Sequence, residues 1–171
     1  MYSLVFPDIS HKQAYIDMIQ EWWEFETIPT SPGNLFFEDT YELFLWRCES
    51  WLFFGPESVL SNFYFFMKNE TILWALDLRH HINHPNLSLD EWCGGHIGYG
   101  LRPSARGKWL AKVMLQLGLD ETRKIELKQV IVSAHEDNPA SWKTIEGCWG
   151  VLLKIVQKEW KNLKVYTIQE M

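Results

Sequence analysis

Two cations flank a glycine in this chain: Arg106 and Lys108, on either side of Gly107. They stand between an apolar stretch ending at Leu101 and the amphipathic run that follows. If that run is a helix, its first turn leaves about four backbone N–H groups without partners, and the helix dipole makes them attractive to anions. A pyrophosphate can accept those bonds. Cations in a helix's first turn are locally unfavourable unless an anion sits there. Leu101-Arg102-Pro103-Ser104-Ala105-Arg106-Gly107-Lys108-Trp109-Leu110-Ala111 therefore reads either as a phosphate grip or as a basic surface turn without a ligand. His80, His81 and His84 form the other dense group. Asn83 and Pro85 oppose a helix there, and no Cys or carboxylate completes a tetrahedral set, so no metal is expected. Cys93 borders the same region without a placed base and reads as inert.

These residues need elements to position them. Ser10 and Gln13 have capping-box spacing before an apolar face of Tyr15, Ile19 and Trp22, which predicts a first helix near 11–25. Thr30 to Asn34 reads as a loop, Asp39 and Glu42 open a second helix, and Gly55-Pro56 ends that region. Asn62–Met67 and Thr71–Arg79 read as an antiparallel hairpin turning at Lys68-Asn69-Glu70. A long polar loop, His80–Trp92, follows. Gly95–Leu101 reads as a strand, Gly107–Arg123 as a helix burying Leu110, Val113, Met114 and Leu117, and Gln129–Ala134 as an apolar strand of the kind usually central in a sheet. Pro139–Gly147 reads as a helix with Pro at its first position after Asn138. Val151–Val156 and Lys164–Ile168 could close the chain as a hairpin. The order predicts one α+β domain, residues 1–171, around a mixed sheet.

Composition excludes several classes. The formal net charge is −6, and no basic stripe suits a nucleic acid. Cys48, Cys93 and Cys148 are odd in number and widely spaced, so a disulfide framework is not expected and a reducing compartment is. Met1–Ile9 lacks the basic region of a signal peptide, and no apolar run approaches the roughly 20 residues of a membrane span. The expectation is a cytoplasmic protein with no membrane partner. Aromatics reach 15% and include 10 Trp, most of which are expected in the core.

The segment around Arg106 resembles the acetyl-CoA-binding signature of the GNAT superfamily of N-acetyltransferases, in which a strand passes through a Pro-containing turn into [Q/R]-x-x-G-x-[G/A]. Arg106 matches its first member and Ala111 its last, while Trp109 stands where the middle glycine is expected. His135-Glu136-Asp137-Asn138-Pro139-Ala140-Ser141 resembles the second cofactor motif, with Asn138 and Ser141 at its spacing. Asp77-Leu78-Arg79-His80 and Gly94-Gly95-His96-Ile97-Gly98-Tyr99 look like segments of a bacterial subgroup of predicted acetyltransferases carrying D-I-R-H and G-G-H-I-G-Y. The similarity in element order runs from about Leu4 to Ile168.

The resemblance implies a mostly antiparallel central sheet flanked by helices and splayed between its fourth and fifth strands, with acetyl-CoA as co-substrate and no metal. It implies that the backbone of Tyr99, Leu101 and Arg102 faces the pantetheine arm, that amides from Arg106 through Gly107, Lys108, Trp109 and Leu110 to Ala111 hold the pyrophosphate, and that Asn138 and Ser141 meet the cofactor from the other side. The implied reaction is direct attack of an amine, from a small molecule or a peptide, on the thioester in a ternary complex. An alkyl amine with pKa of about 10.4 needs a base, and His96 is the candidate, with His135 and Glu136 behind it. The family's usual Tyr acid falls at Ile145 here, so Tyr99 is the candidate acid. Arg79 and His80 are expected on the acceptor side. Homodimers are common in the family. The missing Tyr and altered glycine motivate one alternative, a non-catalytic acyl-CoA-binding module of the same fold.

Overall fold

The computed structural model describes residues 1–25, 40–50, 59–82, 94–158 and 161–169. The expected loop at 30–34, the Gly55-Pro56 stop, Asp39, His84, Cys93 and most of the polar loop after His81 fall outside these residues. The hairpin forms as β2 (Ser61–Lys68) and β3 (Thr71–Arg79), with Asn69 in the turn at φ +54°. Both strands are buried along almost their whole length because helices cover both faces. β1 (Tyr2–Val5), which residue pattern alone did not suggest, pairs with β2, and β4 (Ile97–Tyr99) pairs with β3. A second sheet contains β5 (Gln129–His135), β6 (Val151–Lys158) and β7 (Lys161–Gln169), in the order β5-β7-β6. Every recorded ladder is antiparallel.

Strand alternation sorts β2 onto two cores. Phe63, Phe65 and Met67 face α1 (Lys12–Glu24) and α2 (Tyr41–Ser50), where they meet Tyr15, Met18, Trp22, Tyr41 and Phe44. Tyr64 and Phe66 face the other way, toward Leu110, Met114 and Leu115 of α3 (Leu110–Lys124). Phe44 sits wholly buried against Tyr15, Phe63 and Phe65, which contributes on the order of 2–3 kcal/mol. Many of the aromatics are thus core, as expected. α4 (Pro139–Gly147) packs against α3 and β5.

Three local expectations change. The chain enters α1 through a 3-10 turn at Ile9–His11 whose cap is Asp8, not Ser10; the Asp8 side chain accepts from the Ser10 amide, and His11 Nδ1 accepts from the Asp8 amide. α3 begins at Leu110, three residues later than expected, after a 3-10 turn at Pro103–Ala105. The apolar strand β5 lies where the two sheets meet, but it is laddered on one side only. Its apolar run reflects two covered faces: Val130, Val132 and Ala134 join the α3 core, while Ile131 packs on Leu163 and Val165.

The two sheets meet at β4 and β5, and no ladder joins those strands. A pair of hydrogen bonds links the two edges. The His96 N–H donates to the Ile131 carbonyl at 2.7 Å, and the Ile131 N–H donates back to His96 Nδ1 at 2.9 Å. Gly95 lies beside this contact at φ +67°, where a Cβ would come within 2.5 Å of the Ile131 oxygen. Only glycine permits that approach. Beyond it the strands part toward Tyr99 and Asn138, as the splayed sheet requires.

Candidate functional site

The parting strands open on a cavity of about 830 Å³. Tyr99, Gly100 and Leu101 form one wall, the stretch from Arg106 to Lys112 forms the second, and α4 with Asn138 and Ser141 forms the third. Trp22 and Trp74 line the remaining side. Arg106, Lys108, Lys112 and Lys143 all border the cavity, and no Asp or Glu does among the described residues. In a chain of net charge −6 this is a local concentration of positive potential.

The strand wall presents backbone. Gly100 N–H donates to Ala75 O and Arg102 N–H to Leu73 O, so the even-numbered residues here turn their amides toward β3. Alternation then turns the N–H and C=O of Tyr99 and the N–H of Leu101 to the open side, where an extended ligand can pair with them, while the Leu101 carbonyl accepts from Arg106 Nε. Arg102 does not share this role. Its N–H is committed to Leu73 and its carbonyl accepts from Ala105, while its guanidinium bonds Glu21 and the Ile72 carbonyl. The expectation of a cofactor-facing backbone at Arg102 is corrected by that parity.

At the start of α3, Gly107 and Trp109 both have positive φ, +72° and +64°. No side chain caps the helix. Trp109 therefore does adopt the left-handed conformation that glycine normally supplies, and its indole, 81% exposed, stands out at the cavity rim. Lys108 Nζ donates to the Ser104 carbonyl at 2.7 Å and Arg106 Nε to the Leu101 carbonyl at 3.1 Å, which fold both cations back over the turn. Opposite, Asn138 Oδ1 accepts from the Ser141 amide at 3.2 Å and caps α4. The residues fit a polyphosphate: an uncapped helix start, four cations and no competing carboxylate.

Tyr99 reaches across the gap. Its phenol donates to the Ser141 carbonyl, 3.2 Å away, and lies 3.2 Å from Ser141 Oγ. Burial pushes its pKa up to about 12, so it stays protonated at neutral pH. Ile145, at the usual acid position, is fully buried in the α3 core.

His96 lies outside the cavity lining, only 7% exposed. Because Nδ1 accepts the Ile131 amide, the neutral ring carries its proton on Nε2 and has no lone pair left to offer. Burial, then the charge of Arg79, lowers its pKa to about 4. The residue expected as general base thus stands in this geometry as the pin between the strands. Arg79 is likewise turned inward, pairing with Asp77 at 2.8 Å and donating to the carbonyls of Gly94 and Gly95. His80 sits against Asn62. Neither residue, expected on the acceptor side, borders this cavity, and Arg79 braces the turn before β4. Lys112, Lys143, Trp22 and Trp74 were not singled out as site residues. Lys112 could have been, being one helical turn beyond Lys108.

No family profile matches the chain, and no curated protein does. Solved structures do. The ribosomal-protein-S5-alanine acetyltransferase of Vibrio fischeri is 14% identical, covers 98% of this chain and 92% of its own, and superposes with a TM-score of 0.69. The microcin C7 self-immunity acetyltransferase MccE, solved with acetyl-CoA and AMP, is 16% identical over 99% of this chain and 92% of its own, with a TM-score of 0.67. An acetyltransferase of Chromobacterium violaceum assigned to the GNAT family is 16% identical over 98% and 82%, with a TM-score of 0.61. At such identities the likeness is one of architecture, and on it the chain has the GNAT acetyltransferase fold.

Proposed function

We propose that this chain is an acetyl-CoA-dependent N-acetyltransferase acting on an amine. The observation that carries the reading is the cavity itself: an uncapped helix start and four cations beside a strand whose free backbone groups face the gap. The phosphate end of coenzyme A matches the first feature and its amide-bearing arm matches the second. Acetyl-CoA would supply a thioester carbon and a thiolate leaving group.

The roles of the residues follow. Amides from Lys108 to Ala111, with the side chains of Arg106 and Lys108, hold the pyrophosphate. Tyr99 and Leu101 pair through their backbones with the arm, and Asn138 and Ser141 close the site from α4. An incoming amine loses its proton to water at the cavity mouth, since His96 has no lone pair to accept it. As the C–N bond forms and the C–S bond breaks, the nitrogen sheds its second proton to water, and Tyr99 gives its phenolic proton to the departing sulfur and recovers one from solvent. An amine acceptor is supported by the kinship in fold with an enzyme named for an alanine of ribosomal protein S5.

Release of free thiol from acetyl-CoA in the presence of a panel of small amines and peptides tests the reading. At least one amine should stimulate release. Tyr99→Phe should then lower kcat by roughly 10²-fold, the lower end for general acids, with little change in KM. Tight binding of coenzyme A with no amine ever releasing thiol would leave a binding module in place of an enzyme.

A further inference from the structure

The cofactor-side loop does not stand alone. The last turn of α1 reaches it through two consecutive residues, 83 and 84 positions earlier in the chain. Glu21, with 13% of its side chain exposed, accepts the Ser104 N–H at 2.7 Å through Oε1 and the Ser104 hydroxyl at 3.0 Å through Oε2. The same Oε2 takes the Arg102 guanidinium, which is in turn anchored to the Ile72 carbonyl of β3. Burial opposes the Glu21 charge, but the Ser104 amide, Arg102 and the Ser104 hydroxyl outweigh it and hold the carboxyl below its ordinary range.

Trp22 holds the other end of the loop. Its ring, 3% exposed, packs on Trp74 at 4.7 Å between centroids, which fixes the indole plane. The Arg106 guanidinium carbon lies 4.9 Å from the Trp22 ring centroid. With Nε committed to the Leu101 carbonyl, Arg106 is held on the indole and through Nε. Its Nη atoms have no hydrogen-bond partner among the described residues, and the residue borders the cavity. Those Nη atoms form the fork that binds a phosphate in two places. Without the ring, a surface arginine would spread over many rotamers and lose part of that advantage.

We infer that Glu21 and Trp22 are positioning residues for the phosphate-binding loop: Glu21 fixes the Ser104 turn, Trp22 presents the Arg106 fork, and α1 thereby sets the cavity's preference for the phosphorylated end of coenzyme A. The inference rests on the cofactor reading above. It explains how a loop with tryptophan in place of a motif glycine keeps its shape: an external helix braces it.

The experiment uses the full chain, with calorimetric titration by coenzyme A and turnover with acetyl-CoA and acetyl-pantetheine, which lacks the phosphates. Trp22→Leu should weaken coenzyme A binding roughly tenfold, the size expected for a partly desolvated cation–π contact. Trp22→Phe should fall between it and the parent. Turnover of acetyl-pantetheine should fall several-fold less than coenzyme A affinity does. Combining Trp22→Leu with Arg106→Ala should give no further loss beyond Arg106→Ala alone. Glu21→Gln, which retains the fold's volume, should also weaken coenzyme A binding selectively, and it carries the test with Trp22→Phe if Trp22→Leu does not fold. Unchanged coenzyme A affinity, equal losses with both donors, or additive losses with Arg106→Ala would each overturn the inference. Failure of the parent chain to bind coenzyme A at all would instead overturn the cofactor reading, and this inference with it.

Discussion

His96 owes its weak basicity to the way its ring is held. Burial and the Arg79 charge favour the neutral imidazole in the folded chain, with a pKa near 4 against an ordinary 6.5. Between those values the unfolded chain binds the extra proton, so folding stability rises with pH. The contribution is complete above about pH 6.5 and is lost as pH falls toward 4. Urea midpoints of the parent should therefore drop across this window, and His96→Gln should flatten that drop while lowering stability at pH 7 by about 1 kcal/mol, because a flexible amide holds an acceptor on the Ile131 N–H less firmly than the ring does. The pH profile of turnover from 6 to 9 should keep its shape in the variant. A limb of that profile that disappeared with His96→Gln would restore it as a base. Nothing in the residue itself announced this, because the Ile131 contact lies 35 positions away.

At the scale of elements, the start of α3 shows what local pattern conveys. Asn138-Pro139 placed α4 correctly because cap and first residue act within one turn. The start of α3 was read three residues early because the apolar periodicity outweighed the glycine at 107, whereas Pro103 and the brace from Glu21 shape the turn through a contact far off in sequence. Trp109 takes the left-handed conformation that the motif glycine would take, and a non-glycine residue there costs on the order of 1 kcal/mol. With the indole largely exposed, Trp109→Gly should raise the urea midpoint at unchanged m, a gain of about 1 kcal/mol. A lower midpoint would mean that the indole contributes packing that its exposure does not suggest. The splay between β4 and β5 was legible only through resemblance. Its closed end, a glycine pressed on the Ile131 carbonyl beside a histidine bridging two strands, is a property of two distant segments in contact.

For the whole molecule, the decisive feature is where charge collects. A chain of net charge −6 surrounds one cavity with four cations, drawn from the loop, α3 and α4, and leaves carboxylates out of the described lining. Arg106 and Lys108 were visible as a pair in sequence, but Lys112 and Lys143 belong to two helices whose packing brings them to the same space. The aromatic excess divides similarly: Phe44, Phe63 and Phe65 build the core under α1 and α2, whereas Trp22 also serves the cavity from that core. Calorimetric titration of the full chain with acetyl-CoA tests the central claim most directly. The account predicts one-to-one binding that weakens steadily as salt rises and that falls sharply when Arg106 and Lys108 are both replaced by alanine; no binding, or binding indifferent to salt and to those two replacements, would contradict it.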